Sequence, residues 1–322
     1  MIHALALTGP TASGKTALSL LLAMKLGCEI ISCDSMQIYR GMDIGTAKAT
    51  AEERALFPHH MLDVIDPSES YSAQRYRDDA LACAERIVER GSLPLFVGGT
   101  GLYIDTLTRA MLPEVPESSP KYREILLTIG STEQGARELH ERLKEIDPES
   151  AAAIHKNNIK RVVRALEIYN KTGKPKSYFD KLSRECAQDI SIGMITLDFH
   201  DRATLYARVD ARVDAMIEEG LIEETRRLLS QGFAETATAS QAIGYKELFA
   251  YIRGEESLDA AKERLKLATR RYAKRQLTWF RHNTDAERIY LDGEDGVMKS
   301  ADAICIEVME AALRLLDKMQ IM

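Results

Sequence analysis

The sequence predicts an α/β protein, a parallel sheet core interrupted by a mostly helical insertion. Three observations carry that reading. Short apolar runs alternate with helical patterns over the first hundred residues, the order that builds a parallel sheet. A proline-rich stretch, Leu112-Pro113-Glu114-Val115-Pro116-Glu117-Ser118-Ser119-Pro120, ends the alternation, and helical periodicity dominates after it. An apolar run at 191–199 then reads as another strand and returns the chain to the sheet. The expected division is 1–111 with about 191–322 for the core, and about 112–190 for the insertion.

The elements follow in order. Residues 2–8 form a short apolar run, read as a buried strand. Residues 17–26 are apolar and stop before Gly27, which suits a helix with a glycine cap. Glu-Ile-Ile-Ser-Cys at 29–33 is a second strand ending at Asp34. Ala80, Leu81, Ala84, Ile87 and Val88 give 72–90 a helical stripe that Gly91 closes. Residues 93–97 are a third strand ending in Gly98-Gly99-Thr100-Gly101, and a helix over 102–108 follows. The insertion carries helical patterns at 121–129, 132–145, 148–153 and 157–171, broken at Gly173-Lys174-Pro175. Beyond the strand at 191–199, helices are expected at 202–219, 222–231, 243–253 and 257–280, and an edge strand ends near 290–291. Ile304, Val308, Ala312, Leu315 and Met319 stripe a last helix, which reads as core packing.

One segment carries chemistry outright. Gly9-Pro10-Thr11-Ala12-Ser13-Gly14-Lys15-Thr16 matches the phosphate-binding pattern G-x-x-x-x-G-K-[ST] in full, and it lies between the first strand and the first helix. Its glycines let the backbone curl so that successive N–H groups face one anion. The helix that follows adds its positive end. Lys15 supplies a point charge, and the Thr16 hydroxyl suits Mg²⁺. The core is therefore P-loop NTPase-like, and the chain is expected to hold a di- or triphosphate. In such a sheet, ligands sit at the carboxyl ends of the strands. The phosphate loop, Asp34-Ser35-Met36-Gln37 and Gly98–Gly101 should accordingly open on one crevice.

Composition narrows the class. Apolar residues make up 45% of the 322 and charged residues 29%, as in soluble globular proteins. No run of about 18 apolar residues is present, so no membrane span is expected. The N-terminus enters a strand that the loop needs, and is not read as a cleaved signal. Cys28, Cys33, Cys83, Cys186 and Cys305 are odd in number and scattered, which argues against a disulfide framework or zinc site and for a reducing cytoplasm. Net charge is −6, yet two basic islands stand out. Residues 156–184 hold nine Lys/Arg against Glu167 and Asp180, and 262–288 hold nine against Glu263, Asp285 and Glu287. Such islands suit a localised polyanion footprint, and they equally suit solvated helices.

Other residues leave alternatives open. Asp34 at a strand end fits a Mg²⁺ ligand, a general base, or a cap on the turn before Ser35. Gly98-Gly99-Thr100-Gly101 fits close approach to a ligand, with Thr100 donating to an anion, or plain packing. Arg208 and Arg212, four apart on one helical face, fit pyrophosphate contact or surface pairing. The segment 269–281 interleaves basic residues with Tyr272, Trp279 and Phe280, which suits phosphates and unstacked bases, or a helix with those aromatics in the core. Lys160, Arg161 and Arg164 alternate with Val162, Val163 and Leu166, so that helix has a basic and an apolar face.

At this point the sequence resembles the bacterial tRNA dimethylallyltransferases, also called tRNA isopentenyltransferases. The resemblance rests on the strings at 9–16, 34–48, 98–103, 164–167, 242–247 and 269–281, in the family's order and spanning most of the chain to about 290. The fifteen-residue string at 34–48 is the most specific; Ala49, directly after it, departs from a proline common in the family. The resemblance implies transfer of a dimethylallyl group from dimethylallyl diphosphate to N6 of adenine 37 in the tRNA anticodon loop, in tRNAs reading codons that begin with U. It implies that Gly9 to Thr16 and Arg208 hold the diphosphate with Mg²⁺ on Thr16, that Asp34 accepts the N6 proton, and that Thr100 assists. Asp34, Ser35, Met36, Gln37 and Thr100 would line the base pocket. Arg123, Lys160, Arg161, Val162, Val163 and Arg164 on the insertion, with Gln241, Ala242, Ile243, Gly244, Tyr245 and Lys246, would contact the RNA. A monomer is expected. The residues alone also allow an ATP-dependent small-molecule kinase or a nucleic-acid-binding ATPase on the same loop.

Overall fold

The computed structural model describes residues 1–108, 119–185, 189–236 and 238–320. Most of the proline-rich stretch and Cys186 lie outside them. The chain forms two compact units, Met1–Thr108 with Ile190–Met322, and Arg109–Asp189.

The first unit is built on one six-stranded, all-parallel sheet. Its elements begin with β1 (Ile2–Thr8), α1 (Lys15–Leu26), β2 (Cys28–Ser32), α2 (Ala51–Leu56), β3 (His59–His60), α3 (Ala73–Glu89), β4 (Leu93–Gly98) and α4 (Gly101–Leu107). In chain order the second unit comes next, with α5 (Pro120–Ile129), α6 (Glu133–Ile146), α7 (Pro148–Ala153), α8 (Ile159–Thr172) and α9 (Lys176–Glu185). The first unit then resumes with β5 (Ile190–Asp198), α10 (Arg202–Glu218), α11 (Leu221–Ser230), α12 (Phe249–Ile252), α13 (Leu258–Arg281), β6 (Glu287–Tyr290) and α14 (Ala301–Lys318). Strand order is β3-β2-β4-β1-β5-β6.

Both sheet faces are covered, which is why β1 reads as a continuous apolar run. Leu5 and Leu7 join a cluster with Leu22 of α1 and Val308 and Ala312 of α14. Ala4 and Ala6 point the other way, into a cluster with Tyr76 and Ala80 of α3 and Ile104 of α4. Register places the chemistry. Thr8 pairs with Gly98 of β4 and Thr196 of β5, and Ser32 of β2 pairs with Val97. The loops after β1, β2 and β4 therefore leave the sheet along one edge.

Three local expectations change. The helix expected at 243–253 is instead a 3₁₀ turn at Lys246–Leu248 followed by the short α12. Gly244 has φ +114°, and the Glu247 carboxylate accepts its N–H, so the chain turns before it can coil. α9 follows directly on Gly173-Lys174-Pro175, because a proline that breaks one helix suits the start of the next. β3 has only two residues, too short to leave any alternation.

The second unit buries its own core of Leu126, Leu139, Leu143, Val162, Val163 and Leu166. Val162 and Val163 are 0% exposed, which corrects their expected place at the RNA surface. They supply the apolar stripe that holds α8. Lys160 and Arg161 on the opposite face are exposed. Arg123 and Arg164 both reach Glu167, at 3.0 and 3.7 Å. Among the described residues no helix is long and apolar enough to cross a membrane, and Cys28, Cys33, Cys83 and Cys305 are free thiols.

Candidate active site

A cavity of about 370 Å³ lies within the first unit. The segments after β1, β2 and β4 line it together: Thr11–Thr16, Asp34–Gln37, and Val97 to Gly99. The convergence expected at the carboxyl ends of the strands is therefore present.

The phosphate loop is held from several sides. Gly9 has φ +141°, and a Cβ there would meet the Leu197 carbonyl at 2.8 Å, so only glycine fits. The Ser13 hydroxyl donates to the Pro10 carbonyl at 2.8 Å. Lys15 Nζ donates to the Pro10 and Gly9 carbonyls at 2.7 and 3.1 Å. Burial of that ammonium, reinforced by the Arg212 charge and opposed by Asp34, lowers the Lys15 pKa to about 7. Thr16 is exposed on the cavity wall at the start of α1.

Arginine placement corrects one expectation. Arg208 is absent from the cavity lining, and its Nε donates to the Ala12 carbonyl at 2.8 Å. It braces the loop from behind. Arg212, one turn further along α10, lines the cavity. Burial pulls its pKa down, while the Asp34 charge holds it up. The sequence placed both arginines beside one apolar stripe and held no signal to separate them.

Asp34 both caps its turn and faces the cavity. Its Oδ1 accepts from the Met36 N–H at 2.8 Å, the turn-capping role. Thr100 stands behind this turn and is not part of the lining. Its Oγ1 accepts from the Ser35 N–H at 3.1 Å, and its own N–H donates to the Cys33 carbonyl at 3.1 Å. Thr100 therefore braces the turn of Asp34 from outside the cavity lining. A Cβ on Gly98 would sit 2.4 Å from the Cys33 carbonyl carbon, so glycine is what lets β4 approach so closely. Gln37 lines the cavity as expected, with its amide engaged inside the loop. Its Oε1 accepts from the Ser32 hydroxyl at 2.7 Å and its Nε2 donates to the Thr46 and Ala47 carbonyls, so the amide ties the loop down. Pairing with an adenine edge would first require breaking those bonds.

Gln241, Ala242, Ile243, Gly244 and Lys246 line the cavity, but Tyr245 does not. Tyr245 is 0% exposed, its ring lies against Gly45, and its hydroxyl donates to Glu224 Oε1 at 2.7 Å. Its expected RNA contact is replaced by a structural one. The other Glu224 bonds explain why: the same carboxylate accepts the N–H groups of Asp43, Ile44 and Gly45. From α13, Thr269, Tyr272, Arg275 and Gln276 line the cavity, whereas Phe280 is buried and Trp279 packs against Gly101. Those two aromatics belong to the core, as the alternative reading had it. Gln276 and His59 are lining residues that the sequence did not single out individually. The 4-residue spacing of Tyr272 and Gln276 was the available signal.

For a divalent cation, the cavity offers the Asp34 carboxylate and, at the start of α1, the Thr16 hydroxyl. Among the described residues no cluster of three His, Cys, Asp or Glu forms a dedicated cage. This sparse set fits Mg²⁺ held largely by substrate phosphates and water.

Known proteins resemble this chain over most of its length. Residues 37–283 match the family model described as IPP transferase, and residues 2–57 match one described as isopentenyl transferase. The chain is 50% identical over 282 residues to a tRNA dimethylallyltransferase of Geobacillus thermodenitrificans, covering 87% of this chain and 88% of that one. It is 46% identical over 281 residues to the enzyme of the same name from Thermoanaerobacter sp., covering 87% and 89%. A crystal structure of the full-length tRNA isopentenylpyrophosphate transferase from Bacillus halodurans superposes with TM-score 0.69 at 41% identity, over 99% of this chain and 98% of that one. A eukaryotic dimethylallyltransferase, described as acting on tRNA, gives TM-score 0.71 at 32% identity over 87% of this chain and 70% of that one.

Proposed function

The chain belongs to the IPP transferase family, and from that premise we propose how its cavity carries out prenyl transfer to tRNA. The activity is that of a prenyltransferase acting on tRNA, and the small-molecule kinase reading falls. The observation that carries the mechanism is that one cavity is lined by both the phosphate loop and Asp34.

The diphosphate of dimethylallyl diphosphate sits against the N–H groups of the loop at the start of α1, with Lys15 and Arg212 as its cationic partners. Lys15 gives up its carbonyl bonds to reach it. Thr16 would hold Mg²⁺, which when bound neutralises charge on the leaving diphosphate. The anticodon-loop adenine enters flipped from its stack and lies by Asp34. Its N6 attacks C1 of the donor, the C1–O bond breaks, and diphosphate leaves with the electron pair. Asp34 accepts the N6 proton. The exocyclic amine of adenine is a weak nucleophile, so alignment with C1 contributes much of the rate. Lys160 and Arg161 of α8 engage tRNA phosphates, and Gln241, Ile243 and Lys246 meet the loop nucleotides. The protein works as a monomer in the cytoplasm.

Incubation with labelled dimethylallyl diphosphate, Mg²⁺ and tRNA, followed by digestion to nucleosides, tests the reading. N6-dimethylallyladenosine from position 37 is the expected product. Turnover of ATP with no label in tRNA would overturn it.

A further inference from the structure

The mechanism above needs two loops held in one register, the diphosphate loop and the turn that carries Asp34. They come from different strands. We infer that Gln276 of α13 is the positioning residue that locks them together.

Its side-chain amide bonds both ways. Gln276 Oε1 accepts the Thr11 N–H of the phosphate loop at 2.9 Å. Gln276 Nε2 donates to the Gly99 carbonyl of the loop after β4, also at 2.9 Å. The residue is only 5% exposed, so neither bond is easily replaced by water. Its fit against the second loop is close, since a Cβ on Gly99 would lie 2.0 Å from Gln276 Nε2. The link continues in the same direction. Thr100, next to Gly99, accepts the Ser35 N–H at 3.1 Å, and Ser35 follows Asp34. A continuous path therefore runs from Thr11 through Gln276, Gly99 and Thr100 to the turn of Asp34.

The neighbours of Gln276 on α13 reinforce this. Tyr272, Gln276 and Trp279 recur at helical spacing along one face. Gln276 bonds Gly99, and Trp279 packs on Gly101. Two positions of the glycine loop thus each meet one side chain of α13. Only an amide supplies a donor and an acceptor from adjacent atoms at this point. Carboxylate, thioether and alkyl side chains of similar length each lack at least one.

The inference rests on the prenyl-transfer reading for its kinetic arm and not for its binding arm. Gln276→Met removes both bonds, and Gln276→Glu keeps the acceptor while setting a carboxylate oxygen against the Gly99 carbonyl. Leu277→Ala, in the core beside it, weakens the same helix and leaves the Gln276 amide with both its bonds. Two readouts are taken: steady-state kinetics with dimethylallyl diphosphate and tRNA, and calorimetric binding of inorganic diphosphate with Mg²⁺. Both Gln276 variants should raise the KM for dimethylallyl diphosphate and the Kd for diphosphate about fivefold. They should lower kcat about tenfold and leave the KM for tRNA unchanged. Leu277→Ala should lower Tm and leave all four constants within twofold. Gln276 variants with wild-type kcat and diphosphate affinity would overturn the inference, as would a Leu277→Ala protein showing the same losses. A wild-type protein that binds diphosphate without prenylating tRNA would refute the activity alone, and the calorimetric comparison would still decide the role of Gln276.

Discussion

The two basic islands, one around α8 and one along α13, look equivalent in the sequence and differ in the folded protein. Each holds nine Lys/Arg. Along α13 most of that charge is answered internally. Lys262 and Lys266 pair with Asp214 at 3.0 and 2.9 Å, Arg264 with Glu256, Arg270 with Asp210 at 3.0 Å, and Arg281 with the buried Asp198 at 2.8 Å. Arg271, Lys274 and Arg275 form no ion pair among the described residues. Around α8, Arg164, Lys176 and Lys181 are paired, whereas Lys156, Lys160, Arg161 and Lys171 form no ion pair among the described residues. A count of charges along the chain therefore overstates what α13 offers a polyanion. Binding to phosphate depends on charge that no carboxylate has already neutralised.

That contrast can be broken or sharpened by substitution. The largest effect is structural. Val163→Ala should cost about 2 kcal/mol of stability, read by denaturant unfolding, because it opens a void in the α8 core. It should leave tRNA affinity unchanged, and a raised KM for tRNA would return the valines to the interface. Next comes the unpaired charge of α8. Lys160→Ala with Arg161→Ala should raise the KM for tRNA about tenfold and flatten the dependence of log KM on log salt by between one and two. An unaltered salt slope would remove α8 from the footprint. Arg271→Ala with Lys274→Ala should raise the KM for tRNA about threefold, since α13 has less charge to give. A loss larger than that at α8 would reverse the comparison. The smallest effect belongs to the paired charges. Asp214→Asn should lower stability by no more than about 1 kcal/mol, because the carboxylate is partly exposed and screened. Hydrogen bonds from Lys266 and Lys262 hold the Asp214 carboxyl below the usual carboxylate range. Its contribution is thus present at neutral pH and lost as pH falls through that lowered value. The Tm gap between wild type and Asp214→Asn should close in acid, and a constant gap from pH 7 to pH 3 would disprove the pairing.

The same contrast shows what could be read in advance. The parallel core and the single crevice were legible, because a phosphate loop between an apolar run and a helix has one structural context. α8 was legible in outline, and its error was local: Val162 and Val163 lie directly before the matching string 164–167, while their periodicity already marked the apolar face. Tyr245 was misplaced for a different reason. Its partners, Glu224 and Gly45, lie 21 or more positions away in the chain, and nothing nearby announces them. Arg208 and Arg212 show the limit most sharply. One helical turn decides which guanidinium braces the loop and which faces the cavity, and that depends on how α10 packs.

The central claim is that Asp34 removes the N6 proton within the cavity that holds the donor. Asp34→Asn keeps the shape and the acceptor oxygen that caps the turn, and removes only the basicity. Single-turnover transfer from labelled dimethylallyl diphosphate to tRNA, with the affinity of each ligand measured in parallel, tests it directly. Both ligands should bind as in the wild type while transfer slows about 10²-fold or more. Transfer at the wild-type rate in that variant would contradict the account.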